Sequence, residues 1–124
     1  MFKMNITNYK FSAKTQQGDT VEVPYDVRDS VAQVLLNPQQ KLNGPGLLKA
    51  NMLAEKVLTC NDPVFLLEDA EYDMLRKAAE TTVGFDRPDV EFVRRIMEAE
   101  RVTVQEVPSA LGGKANGTNE GGVR

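Results

Sequence analysis

Hydrophobic and polar positions change period several times along this chain, and each change marks an element. Over residues 5–15 they alternate, with Tyr9, Phe11 and Ala13 on one face and Lys10, Ser12 and Lys14 on the other. That is the two-residue period of a half-buried strand. Gln16-Gln17-Gly18-Asp19 supplies a turn whose glycine accepts positive φ. Thr20-Val21-Glu22-Val23-Pro24 alternates again, so 5–25 reads as a β-hairpin. Pro24 has no N–H for a ladder and is expected to mark the end of the second strand.

Beyond the hairpin the period becomes helical. Asp26 is placed to cap a helix, with Asp29 three residues on, and Val27, Val31, Val34 and Leu35 form its apolar stripe. Asn37-Pro38 ends it, because the residue before proline avoids the α region. After a loop over 38–46, a helix at 46–59 carries Leu47, Leu48, Met52, Leu53, Val57 and Leu58. So wide an apolar face predicts a place in the middle of the core. Val64-Phe65-Leu66-Leu67 is a buried strand or a lead-in to the next helix. Asp69 is the expected cap of a helix at 70–83, with Tyr72, Leu75, Ala78, Ala79 and Val83 inward. Gly84, followed by Phe85, has the form of a left-handed stop with its hydrophobic contact. Asp86-Arg87-Pro88-Asp89 opens a last helix whose stripe is Val90, Val93, Ile96 and Met97.

Residues 102–107 alternate and are expected to form a final strand paired with the hairpin. The predicted fold class is therefore α+β, a small antiparallel sheet of N-terminal hairpin and C-terminal strand packed with four helices. Residues 1–108 form one domain on this reading. The stretch 109–124 is a glycine-rich tail with little apolar surface to offset the entropy of ordering it, and it is predicted to be flexible.

Composition narrows the chemistry. Among 124 residues there is no histidine, no tryptophan and a single cysteine, Cys60. Histidine is the side chain that titrates near neutrality and the commonest metal ligand, so its absence removes most familiar general-base and metal sites. A lone thiol forms no intramolecular disulfide and fits a reducing compartment, and the start of the chain lacks the apolar run of a secretory signal. No apolar run approaches the roughly 20 residues of a membrane-spanning helix. A cytoplasmic protein is expected. The net charge of −3, from 18 acids and 15 bases, argues mildly against nonspecific nucleic-acid binding.

Four places invite a functional reading. Glu68, Asp69, Glu71 and Asp73 resemble a cation site, but acids in a first turn cap a helix, and the spacing is not that of a calcium loop. Asn43-Gly44-Pro45-Gly46, between Lys41 and Lys49, lacks both nucleotide-loop patterns and reads as a plain helix start. Cys60 lies at a helix C-terminus, the wrong end to activate a thiol, and reads as structural. Arg87, Arg94, Arg95 and Arg101 concentrate positive charge on and around the last helix, partly balanced by Glu91 and Glu98. These arginines are the candidate partner-contact residues, and Lys10, Ser12 and Lys14 are the candidate contacts along an exposed edge strand. No catalytic residue, metal ligand, cofactor or small-molecule substrate is indicated.

The succession VEVPYDVRDSVAQVLLNP, LLKANMLAEKVL, VFLLEDAEYDMLRKAAET, DVEFVRRIMEA resembles small proteins of tailed-phage and prophage genomes, including their morphogenesis regions. The likeness lies in the order and spacing of the elements over residues 20–107 and brings no site residues with it. It implies a viral accessory or assembly protein, found in the host cytoplasm or the virion. The expected function is a non-enzymatic module that binds a protein partner or itself, whether in assembly or as a host-directed regulator. The alternatives are a small DNA- or RNA-binding regulator using the last helix with Lys49 and Lys56, and a metal-dependent hydrolase built on Glu68–Asp73.

Overall fold

In the computed structural model, which describes residues 1–103, the chain forms five strands and four α-helices. The strands are β1 (Phe2–Asn5), β2 (Tyr9–Lys14), β3 (Thr20–Tyr25), β4 (Val64–Leu67) and β5 (Glu100–Arg101). The helices are α1 (Val27–Leu35), α2 (Gly44–Thr59), α3 (Asp69–Thr81) and α4 (Val90–Met97), with 3-10 turns at Pro38–Gln40 and Arg87–Asp89. The fold is α+β, as the periodicity predicts.

The strands do not form one sheet. The hairpin β2–β3 stands as a two-stranded ribbon, with Tyr9 opposite Tyr25 and Lys14 opposite Thr20. The second sheet runs β4–β1–β5, all antiparallel. Its central strand is the one that the sequence pattern merged into the hairpin. Asn5 separates the two by accepting both the backbone N–H and the hydroxyl of Thr7 on its side-chain oxygen, which turns the chain away from β1. The next residue, Ile6, is buried and donates its N–H to the Pro63 carbonyl. The C-terminal strand therefore pairs with β1 and not with the hairpin. The part of the predicted strand from residue 104 onward, and the glycine-rich tail, lie outside the described residues. Pro24 does not end β3, which continues to Tyr25. In a two-stranded ribbon both strands are edges, where proline is tolerated.

Local signals place the helix starts to within two residues; α2 begins at Gly44 and not at 46, because Asn43 caps it, and the expected loop before it holds the 3-10 turn Pro38–Gln40. Asp26 accepts the Asp29 N–H at 2.9 Å and Asn43 accepts the Gly46 N–H at 2.8 Å, two side-chain caps. The cap of α3 is Glu68, one residue earlier than expected, in a reciprocal capping box with Glu71. That helix stops at Thr82, so Gly84 (φ +94°) lies in the irregular connection before the 3-10 turn at Arg87–Asp89 instead of closing the helix, and Val83 is exposed.

Burial departs from the pattern on two helices. α1 lies between α2 and α3, and its stripe Val27, Val31, Val34 and Leu35 is buried as predicted. α2 is the outermost of these three, with α1 as its main neighbour. It buries only Ala50, Leu53, Ala54 and Val57, while Leu47, Leu48, Met52 and Leu58 are exposed. On α4, Phe92 and Ile96 are fully buried, Val93 and Met97 are half-buried, and Val90 is out in solvent. The core also takes in Ile6, Leu67 and Leu75, and among the described residues no polar or charged side chain is fully buried.

Candidate functional site

An aromatic junction joins the hairpin to α4. The Tyr9 and Tyr25 rings stack at 4.6 Å, with Phe11 edge-on to Tyr25 at 6.3 Å and Phe92 tilted against it at 5.9 Å. Their alternation in β2 and β3 puts these side chains on the inner face of the ribbon. The Tyr9 hydroxyl donates to the Pro88 carbonyl (2.7 Å) and accepts the Phe92 N–H (3.1 Å), so one phenol satisfies groups at the start of α4. The Tyr25 hydroxyl donates to Asp89 Oδ1 at 2.5 Å. Burial, reinforced by the Asp89 carboxylate, raises the Tyr25 pKa well above that of a free phenol, and burial raises that of Tyr9 as well.

On the outer side of this junction the candidate residues of the last helix and of the edge strand partly converge. Lys10, Arg87, Arg94 and Arg95 line one shallow groove between β2 and the start of α4, together with Phe11, Val90 and Glu91. Four cations there face one carboxylate. Arg94 and Arg95 share that carboxylate, each 3.0 Å from a different Glu91 oxygen, whereas Lys10 and Arg87 form no ion pair among the described residues. Glu98, expected as a second counter-charge, is in no ion pair among the described residues.

The four arginines have different roles. Arg95 is 14% exposed; it donates to the Asn5 and Thr7 carbonyls and lies 5.1 Å over the Tyr9 ring. It holds the β1–β2 corner against α4 and has little surface for a partner. Arg101 belongs elsewhere, on β5, where it lies over Phe2 and 3.5 Å from Asp69. Arg87, Val90 and Arg94 are spaced three and four apart and all exposed, so they form a ridge of cation, aliphatic group and cation along one face. Ser12 and Lys14 are exposed farther along β2 and do not line the groove.

A second concavity escapes sequence reasoning. A groove of about 670 Å³ runs between α1 and the α3–α4 connection, with Tyr25, Val34, Phe85 and Phe92 in its lining and Asp29 and Asp89 beside them. No lysine or arginine lines it. Its residues come from β3, α1 and the segments before and within α4, and no local period links them. Arg28 is another group that the pattern does not mark. It donates to the carbonyls of Ile6, Cys60 and Asp62, stapling α1 to two loops.

The other candidate places are engaged in local contacts. Of the acidic cluster, Glu68 and Glu71 cap α3, Glu71 also holds Lys56 at 2.7 Å, and Asp69 binds the N-terminal ammonium at 2.7 Å. That ammonium contact, with Arg101 adding to it, lowers the Asp69 pKa. Among the described residues no group of acids and cysteine is arranged to hold a metal ion. Cys60 is half-buried at the end of α2. No described helix is long and apolar enough to cross a membrane. Comparison of the chain with protein-family models, with curated proteins and with solved structures returns no match.

Proposed function

We propose that this chain is a non-enzymatic protein-binding module, and that the ridge Arg87–Val90–Arg94 is the face with which it engages a partner. The observation that carries this reading is an exposed aliphatic side chain set between cations on one helical face, where Arg87 is in no ion pair among the described residues and Arg94 shares Glu91 with Arg95. Val90 is 54% exposed, between two arginines, and Lys10 adds a third outward cation from β2. Burying Val90 against a partner supplies hydrophobic free energy, and the surrounding cations confer orientation and select an acidic surface. The same ridge is held from behind by rigid groups, since Tyr9, Tyr25 and Arg95 fix α4 against the hairpin. Such pre-organisation lowers the entropic cost of docking.

The reading agrees with the accessory or assembly role that the resemblance to tailed-phage proteins implies, and with a cytoplasmic setting for the lone thiol Cys60. A protein is favoured over nucleic acid because the centre of the face holds Val90 and Glu91, an aliphatic group and a carboxylate, where phosphate contacts call for further cations.

The test is a titration of wild type and the R87E/R94E double variant with a glutamate- and leucine-rich peptide and, separately, with a duplex oligonucleotide. The peptide is expected to bind wild type and to lose about tenfold or more in affinity on the variant. Tight, steeply salt-dependent oligonucleotide binding with no peptide binding would replace this reading by the nucleic-acid one.

A further inference from the structure

We infer that the acidic surface which receives the ridge is the groove between α1 and the α3–α4 connection of a second copy of this chain, so that copies associate head to tail; this rests on the reading of the ridge given above.

The two surfaces are complementary in charge. The groove has a mixed lining: Phe85, Leu36 and Pro38 are its accessible apolar groups, Tyr25 and Phe92 are buried, and the carboxylates Asp29 and Asp89 line it together with neutral polar side chains such as Gln33 and Thr82. Asp26 and Asp86 adjoin them, Asp26 capping Asp29 and Asp86 donating its N–H to Asp89. None of these four carboxylates is in an ion pair among the described residues. The ridge presents the converse, an aliphatic side chain between two guanidinium groups. With Val90 of one copy against Phe85, Leu36 and Pro38 of the other, Arg87 and Arg94 on either side of Val90 come to the groove that Asp29 and Asp89 line. This is the helix-in-groove mode of recognition, with charged pairs fixing the direction.

Ridge and groove have no residue in common. On this inference one copy gives its ridge to one neighbour and its groove to another. Such a contact is heterologous, joining two different patches, and repeats into a ring or an open filament according to the rotation between copies. A symmetric dimer is not its product.

The experiment is light scattering and sedimentation over a wide concentration range, on wild type, on R87E/R94E and on Asp29→Lys, each checked for native fold by circular dichroism. Wild type is expected to rise in mass with concentration above the 13.8 kDa of one chain, less so as salt is added. Each variant alone is expected to remain a monomer. Mixed in equal amounts, the two variants are expected to form a dimer and nothing larger, because the intact ridge of Asp29→Lys meets the intact groove of R87E/R94E. A monomeric wild type overturns the inference, as does a variant mixture that stays monomeric while wild type associates. If wild type is monomeric yet binds the acidic peptide through its ridge, head-to-tail association fails and the protein-binding reading stands. If R87E/R94E changes neither peptide binding nor mass, both fail.

Discussion

The two helices α2 and α4 divide hydrophobic surface in opposite ways. α2, with 16 residues, is rich in leucine, yet it seats itself largely through Ala50, Ala54 and Val57 around a single leucine, Leu53. Leu48 and Met52 remain 67% and 62% exposed. α4, with 8 residues, contains two arginines and a glutamate, but its two fully buried side chains, Phe92 and Ile96, are wholly inside. The difference is one of position. An outer helix has one covered stripe whatever its composition, whereas α4 lies against α3 and β1 and under the tyrosines of the hairpin. Total hydrophobicity therefore says little about anchoring, and the number of elements that surround a side chain says much more.

Substitutions sharpen that contrast, the largest effect coming from the shorter helix. Phe92→Ala is expected to lower unfolding free energy by about 3–5 kcal/mol, since the aromatic junction cannot collapse into the space left. Urea denaturation measures it, and a loss under about 1.5 kcal/mol would mean that α4 is not the anchor described here. On α2, Leu53→Ala is expected to cost about 2–5 kcal/mol by the same cavity argument, read by the same titration.

Next in size is the tyrosine network. Tyr25→Phe removes the hydroxyl that donates to Asp89 and is expected to cost about 0.5–1.5 kcal/mol at neutral pH. It also carries a pH signature. Because the folded-state pKa of Tyr25 is raised above the ordinary phenol value, the native protein holds that proton longer than the unfolded chain does. Its contribution is complete below about pH 10 and is lost as pH rises towards and through the folded value. Urea midpoints from about pH 8 to about pH 11 are expected to fall in wild type and to fall less steeply in Tyr25→Phe. Equal slopes would remove Tyr25 from the account. Tyr9, also raised, keeps the variant from becoming flat.

The smallest expected effect falls on the most hydrophobic-looking face. Leu48→Ser is predicted to change stability by no more than about 0.5 kcal/mol, in contrast to Leu53→Ala five positions on. A loss of about 2 kcal/mol in thermal or urea unfolding would show that something covers Leu48 in the protein at rest.

Legibility followed the range of the interaction. Caps, turns and breaks were open to reading because each depends on a few adjacent residues: Asp26 on Asp29, Asn37 before Pro38, Gly18 in its turn. The α3 cap was misplaced by one residue because Glu68 and Asp69 both supply a carboxylate, and only the reciprocal bond with Glu71 distinguishes them. The basic residues of the candidate site were visible as types, but not their division of labour. Arg95 differs from Arg94 by one position, which turns it towards the Asn5 and Thr7 carbonyls and the Tyr9 ring. The groove of Tyr25, Phe85 and Phe92 had no sequence signal, since 67 positions separate its first and last aromatic residues, as the numbering shows.

By itself, then, the order of residues determined the α+β class, the hairpin, the number of helices, their starts to within two residues, and the absence of histidine chemistry. All of these follow from local periodicity, backbone preference and the inventory of side chains. Tertiary structure decided that β5 joins β1, that α2 turns its leucines outward, and that a cationic ridge and an acid-flanked groove lie on one molecule. Those outcomes depend on which distant segments meet, and burial and charge pairing are properties of that meeting, carried by no single stretch of the chain.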